Sequence, residues 1–361
     1  MSILRRTIRL AFTAVLLSLC AHAAMAQAPE GYGEKVNVNE VLIDALVTDA
    51  QGNVVLGLEK NDFVVRQDGE PVNLDSAIFY SNRRFLESSP QARQLGIDPK
   101  QVPDNRYFVL FFHDQRRDFT PTEATQFMDA AHRAQDWLRS GLAPNDYVAV
   151  MSYDFKLKVQ QDFSRDREAT VRAIDRMVQG EAGDWPSRTA QAEGPSLLAG
   201  LPSGTELRDA TVRFYDAVEL VAKAADAVPG RKNLVLFSRG FGDLSGIARW
   251  QPDPRYYPDM VKALNGSNVA VYAIDIHPNP TSSRHVLADS LSQLANDTAG
   301  RYYSVFTNFE TPLKQVARET NGYYLLTFTP SAGKGFQKVT VELKNPEFKV
   351  RARRGFEAAA G

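Results

Sequence analysis

From Tyr107 to Phe112 the chain runs Tyr-Phe-Val-Leu-Phe-Phe without a polar break, then turns abruptly charged at His113, Asp114, Arg116, Arg117 and Asp118. A β-prone apolar run with no alternation predicts a strand buried on both faces of a parallel sheet. In an open α/β sheet the carboxyl ends of the strands are where ligands bind, so the charged residues after Phe112 become the first candidates for a site. Downstream, Ala124, Phe127, Met128, Ala131, Ala134, Trp137 and Leu138 recur at three and four residues and predict a helix over Thr122–Arg139. Tyr147–Tyr153, Asn233–Phe237, Val269–Ile274 and Arg301–Val305 read as further strands, with Phe155–Gln161 as a short edge strand. Asp166–Val178, Glu206–Ala227, Pro258–Leu264, Val286–Thr298 and Glu310–Thr320 read as helices. Strand following helix in this way predicts a doubly wound, mainly parallel sheet with helices on both faces.

The two ends have a different rhythm. Val38–Thr48 and Phe63–Gln67 are strands separated by tight turns, and period-two strands return after Gly322 at Tyr323–Thr329, Lys338–Lys344 and Phe348–Arg353. Three strands alone would bury too little, so the ends are expected to pair as one β-sandwich into which the α/β domain is inserted. Two separate β modules are the alternative. The expected organisation is an N-terminal β segment (36–81), a proline-punctuated linker (82–104), the α/β domain (105–321) and a C-terminal β segment (322–357).

Composition narrows the class. The chain has 361 residues, 43% hydrophobic and 24% charged, with a formal net charge of -1 and no basic stripe, so a nucleic-acid partner is not indicated. Arg5, Arg6 and Arg9 precede the apolar run Leu10–Leu19, and Ala24-Met25-Ala26 supplies a signal-peptidase pattern before Gln27. This predicts a Sec-type signal over 1–26 and a secreted or periplasmic protein without a transmembrane segment in the mature chain. Cys20, the single cysteine, lies inside that signal and raises lipid anchoring as an alternative. Losing the three signal arginines would move the formal charge from -1 to -4. A mature chain without cysteine must hold its fold by packing alone in an oxidising compartment.

Several motifs occur together and in order: Gly57-Leu58-Glu59-Lys60-Asn61-Asp62-Phe63, Phe112-His113-Asp114, Ser203-Gly204-Thr205-Glu206, Gly230-Arg231-Lys232-Asn233 through Ser238, and the tail from Tyr323-Tyr324 to Arg354-Gly355-Phe356. In these the chain resembles the von Willebrand factor type A fold, and more closely the bacterial secreted proteins known as VWFA-related. The resemblance implies a binding module, not an enzyme, with a protein partner. It also implies a metal-ion-dependent adhesion site, in which an Asp-x-Ser-x-Ser loop, a threonine and a second aspartate hold Mg²⁺. On that pattern Asp114 matches the first aspartate and Thr205 the threonine. Arg116 and Asp118 replace the two serines, and Arg239 stands where the second aspartate would follow Ser238.

Two guanidiniums beside a dication site remove ligands and add like charge, so the site is expected to be degenerate and metal-free. Arg116 or Arg239 would then pair with Asp114 and Asp118. Mg²⁺ held by Asp114, Asp118 and Thr205 is the alternative, with Asp243 as a possible further ligand if its loop folds back. Trp185 and Trp250, in the long loops of this end, complete the candidate ligand-binding face with Arg116 and Arg239, since Trp and Arg are enriched at interface hot spots. Two other readings stand beside this one: a structural spacer in an envelope assembly, and a serine hydrolase using Ser238 with Asp275 and His277 or His285. The hydrolase elbow fails at Leu236, where the tight turn needs glycine.

Overall fold

The computed structural model describes residues 40–81, 90–94, 105–181, 194–242, 250–283 and 285–358. The signal segment with Cys20, most of the linker, and the candidates Trp185 and Asp243 lie outside these residues. Among the described residues no helix is long and apolar enough to cross a membrane.

The first strands are β1 (Val41–Thr48), β2 (Phe63–Gln67), β3 (Glu70–Val72) and β4 (Ser76–Ser81). The α/β layer follows with β5 (Tyr107–His113), α1 (Pro121–Ser140), β6 (Tyr147–Tyr153), β7 (Leu157–Ser164), α2 (Arg167–Gln179), α3 (Gly204–Ala210) and α4 (Phe214–Ala224). It continues through β8 (Lys232–Ser238), α5 (Tyr257–Gly266), β9 (Val269–Asp275), α6 (Ala288–Asp297), β10 (Arg301–Ser304) and α7 (Glu310–Glu319). The chain closes with β11 (Gly322–Phe328), β12 (Gly335–Leu343), β13 (Lys349–Ala352) and β14 (Gly355–Ala358).

The central sheet has the order β10-β9-β8-β5-β6-β7. All its pairs are parallel except β6–β7, a hairpin that leaves β7 as an antiparallel edge. Because successive strand residues point to opposite faces, β5 feeds two cores at once. Val109 and Phe111 join Val218, Val221, Met260, Leu264 and Leu291 on one face. Phe108, Leu110 and Phe112 join Phe127, Trp137, Ile174, Leu313 and Val316 on the other. The fold class is therefore α/β, with helices on both faces of a mainly parallel sheet.

Two four-stranded antiparallel sheets, β13-β1-β11-β4 and β14-β12-β2-β3, form a sandwich from both ends of the chain. β1 lies between β11 and β13, with Ile43 opposite Leu326 and Val47 opposite Val350, while β2 pairs with β12. Ile43, Val47, Phe63, Val65, Tyr324, Leu326, Phe328 and Val339 fill its core. The β2–β3 turn is two residues, Asp68 (φ 50°) and Gly69 (φ 93°), the left-handed pair that matches the twist of a tight hairpin.

Several details differ from the sequence expectation: β3 and β4 join the two strands named near the N-terminus, the edge strand starts at Leu157 instead of Phe155, and two further elements change. The helix expected over Glu206–Ala227 is broken at Thr211–Arg213, because the buried Thr211 hydroxyl donates to Leu207 O and accepts from Leu157 N, so it serves β7 instead of continuing the helix face. The tail holds four strands rather than three, since Gly355–Ala358 pairs with Gly335–Lys338. Its short length and its alternation across a single phenylalanine leave too weak a pattern to read.

Candidate functional site

The carboxyl ends of β5, β8 and β9 bring together His113, Asp114, Ser238, Arg239 and Asp275. Asp114 is 6% exposed, and its amide donates to Tyr153 O at 2.8 Å. Arg116 lies two residues on, at the start of the 3-10 turn Arg116–Asp118, and binds it bidentately: Nε to Oδ1 at 2.8 Å and Nη2 to Oδ2 at 2.6 Å. The same guanidinium donates to Met177 O and Val178 O in the last turn of α2, the negative end of that helix dipole. Both lone-pair faces of the Asp114 carboxylate thus meet a permanent internal cation.

Arg239 departs from the expectation. It pairs with neither Asp114 nor Asp118, but donates to Glu123 Oε1 at 2.7 Å and Gln115 Oε1 at 3.0 Å, with its guanidinium over the Phe119 ring. Glu123 is fixed from the other side, because its Oε2 accepts from the amide and hydroxyl of Thr120 as the capping box of α1. Burial opposes the charge on Glu123, yet the Thr120 hydrogen bonds and Arg239 hold its pKa below the usual carboxylate range. Local sequence held a signal for this residue, the spacing Thr120-x-x-Glu123. What it could not reveal was that Glu123's second oxygen would take Arg239.

Thr205 and Asp118 are both exposed, and the Thr205 hydroxyl accepts from Arg208 Nη2 at 3.0 Å. Trp250 is not part of an exposed face: it is 5% exposed and packs edge-on against Phe241 and Tyr257, its bulk being what the core of that loop uses. Two apolar residues that the sequence did not mark are exposed at this end instead. Phe155, in the β6–β7 turn, is 55% exposed and has φ 53°, a left-handed conformation that is an outlier for a bulky side chain. Val212 is 60% exposed, and its carbonyl accepts from Tyr153 OH at 2.7 Å.

The arrangement does not fit a Mg²⁺ site. A tight octahedron of small oxygen ligands would have to displace a bidentate guanidinium from Asp114, and the second aspartate position holds Arg239. The hydrolase geometry is also different from the one considered. Ser238 is fully buried and meets His113 Nδ1 at 2.9 Å, whereas Asp275 binds His285 Nε2 at 2.9 Å and Tyr302 OH at 2.7 Å. Among the described residues the histidine that Ser238 hydrogen-bonds is His113, not His277 or His285. His277 stacks on His285 with ring centroids 4.0 Å apart. The turn after Ser238 requires Gly240, at φ 105°, because a Cβ there would lie 2.4 Å from Leu287 Cβ.

Burial, with the Arg239 charge adding to it, pulls the His113 imidazole from 6.5 down to about 3. A histidine held neutral in the fold contributes stability above its unfolded pKa, and that contribution is lost as pH falls from about 6.5 toward the folded value. Between pH 7 and pH 5 the native protein should therefore lose about 2 kcal/mol more stability than His113→Gln. Urea unfolding of both proteins at the two pH values measures this; parallel losses would mean that His113 titrates normally in the fold.

No family model matches the chain, and no curated protein matches it in sequence. Among solved structures, it is similar to proximal thread matrix protein 1 from the mussel byssus, at TM-score 0.38 and 14% identity, over 60% of this chain and 48% of that one. The chain thus spans about half the length of that protein. It is similar to a von Willebrand factor type A protein from Catenulispora acidiphila, at TM-score 0.39 and 9% identity, over 88% of this chain and 74% of the other. It is likewise similar to three N-terminal domains of the type V pili tip protein Mfa5 from Porphyromonas gingivalis, at TM-score 0.39 and 10% identity, over 82% and 67% of the two chains.

Proposed function

We propose that this chain is a von Willebrand A-like protein-binding module, secreted or held in the cell envelope, whose adhesion site is closed by an arginine instead of a metal. The observation that carries the reading is the bidentate Arg116–Asp114 pair at the end of the central strand, where the family resemblance implies a metal. Exposed Phe155 and Val212 at the same end supply apolar surface of the kind a protein partner covers. The extracytoplasmic location rests on the signal pattern of residues 1–26.

Two measurements test it. Millimolar Mg²⁺ or Mn²⁺ should leave the melting temperature of the native protein unchanged, whereas Arg116→Ser with Arg239→Asp should gain metal-dependent stability, roughly 2.7 kcal/mol at 100 times the dissociation constant. Metal-dependent stabilisation of the native protein that disappears in Asp114→Ala would overturn the closed-site reading. For the binding function, cross-linked capture from the organism's own envelope extract should yield a partner that Phe155→Asp loses. Identical capture by both proteins would remove this face from consideration.

The spacer reading is favoured by one observation, the burial of Trp250, which takes an aromatic anchor away from the face. It predicts no partner specific to this end of the sheet.

A further inference from the structure

At the opposite end of the central sheet, the amino ends of β5 and β8 meet the sheet β13-β1-β11-β4 around a cavity of about 390 Å³. That volume falls within the roughly 300–1,000 Å³ of small-molecule sites, which favour such junctions. Leu46, Tyr80, Tyr107 and Tyr323 line it, and the Tyr80 and Tyr323 rings stack at 5.7 Å and 12°.

Four nearly buried polar residues share the lining, Arg106, Arg231, Asn233 and Thr320, and the Arg106 guanidinium is already taken by Asp146. Arg231, 8% exposed in the turn before β8, donates from Nη2 to Ala299 O at 2.9 Å, and among the described residues no carboxylate lies within salt-bridge reach of it. Asn233, 3% exposed, spends its Nδ2 on Tyr107 O at 3.2 Å, while its buried Oδ1 has no partner among the described residues. Arg231, Lys232 and Arg353 all act on one buried carboxylate, Asp44, and the other acid acting on Lys232 is Asp226.

We propose that the cavity binds a small aromatic carboxylate, its acid group on Arg231 and its ring against the tyrosines. A guanidinium matches a carboxylate bidentately, and tyrosine faces suit a planar ring. The site is remote from Asp114 and does not depend on the protein-binding reading.

The test is a ligand-observed NMR titration of the full chain with 4-hydroxybenzoate and its neutral counterpart 4-hydroxybenzamide. Saturable binding of the acid is expected, with the amide at least about tenfold weaker and Arg231→Gln losing about tenfold for the acid. Asn105 also lines the cavity, is exposed, and hydrogen-bonds Tyr107 through its side chain. Asn105→Glu should weaken the acid several-fold and Asn105→Lys should tighten it, an answer independent of whether Arg231→Gln folds. Non-saturable signals, equal affinity for acid and amide, or indifference to charge at position 105 would each overturn the proposal.

Discussion

Deleting Gly322–Gly361 is expected to unfold the N-terminal strands together with the tail. β1 would lose both of its neighbours, β11 and β13, β4 would lose β11, and β2 would lose β12, leaving the β2–β3 hairpin as their surviving pairing. A lone hairpin is at best marginal in water. The deletion also removes Leu326, Phe328 and Val339, each no more than 2% exposed, from the sandwich core. At roughly 1.5–3 kcal/mol per fully buried side chain, these three alone approach the 5–15 kcal/mol that holds an ordinary domain together. Hydrogen exchange would show the outcome directly, because amides of Val41–Thr48 should exchange at unfolded rates. If they stayed protected in the truncated protein, the N-terminal strands would be an independent module.

Arg106→Met should cost about 3–5 kcal/mol, the range for breaking a buried ion pair from one side. Arg106 is 8% exposed and donates bidentately to Asp146, which is fully buried, at 2.9 and 2.6 Å. Its remaining nitrogen reaches Ala317 O, Thr320 Oγ1 and Asn321 Oδ1, tying the start of β5 to the connection between α7 and β11. Methionine would fill much of the volume but leave Asp146 charged and buried, with the Ala143 amide as a remaining donor. Denaturant unfolding at pH 7 measures the loss. Double replacement, Arg106→Met with Asp146→Leu, should recover part of it, since the unpaired charge is then gone. A loss under 1 kcal/mol in the single variant would mean that water or relaxation satisfies Asp146.

The Arg116–Asp114 pair depends on a smaller version of the same physics. Arg116 lies two residues after Asp114, and its pairing was one of the alternatives that residue types alone allowed. The choice between Arg116 and Arg239 was made by position: Arg116 lies against the carbonyls that end α2, while Arg239 extends from β8 toward the first turn of α1 and finds Glu123. The tryptophan chosen from sequence as a binding anchor was drawn into the core instead, because loop composition does not say which side of a loop faces inward. Phe155 was read as the first residue of the edge strand, since an exposed aromatic in a short turn looks like any strand end until its φ is known.

By itself, the sequence determined the fold class: unbroken apolar strands, helices at period 3.6, and the return of period two after Gly322 are local patterns, and each follows from which side chains must leave water. It also raised the pairing of the two ends into a sandwich as an expectation, since neither end has enough strands to bury its own apolar face, but it left two separate β modules open until the registers of β1 with β11 and of β2 with β12 were known. Only the tertiary structure decided which cation meets Asp114, where Ser238 and the histidines find their partners, that Trp250 is buried, and that Arg231 and Asn233 share a cavity with three tyrosines. Those outcomes depend on distances between residues tens to hundreds of positions apart. Hydrogen bonds and ion pairs act over a few ångströms, so they exist only once the packing of the layers has set those distances.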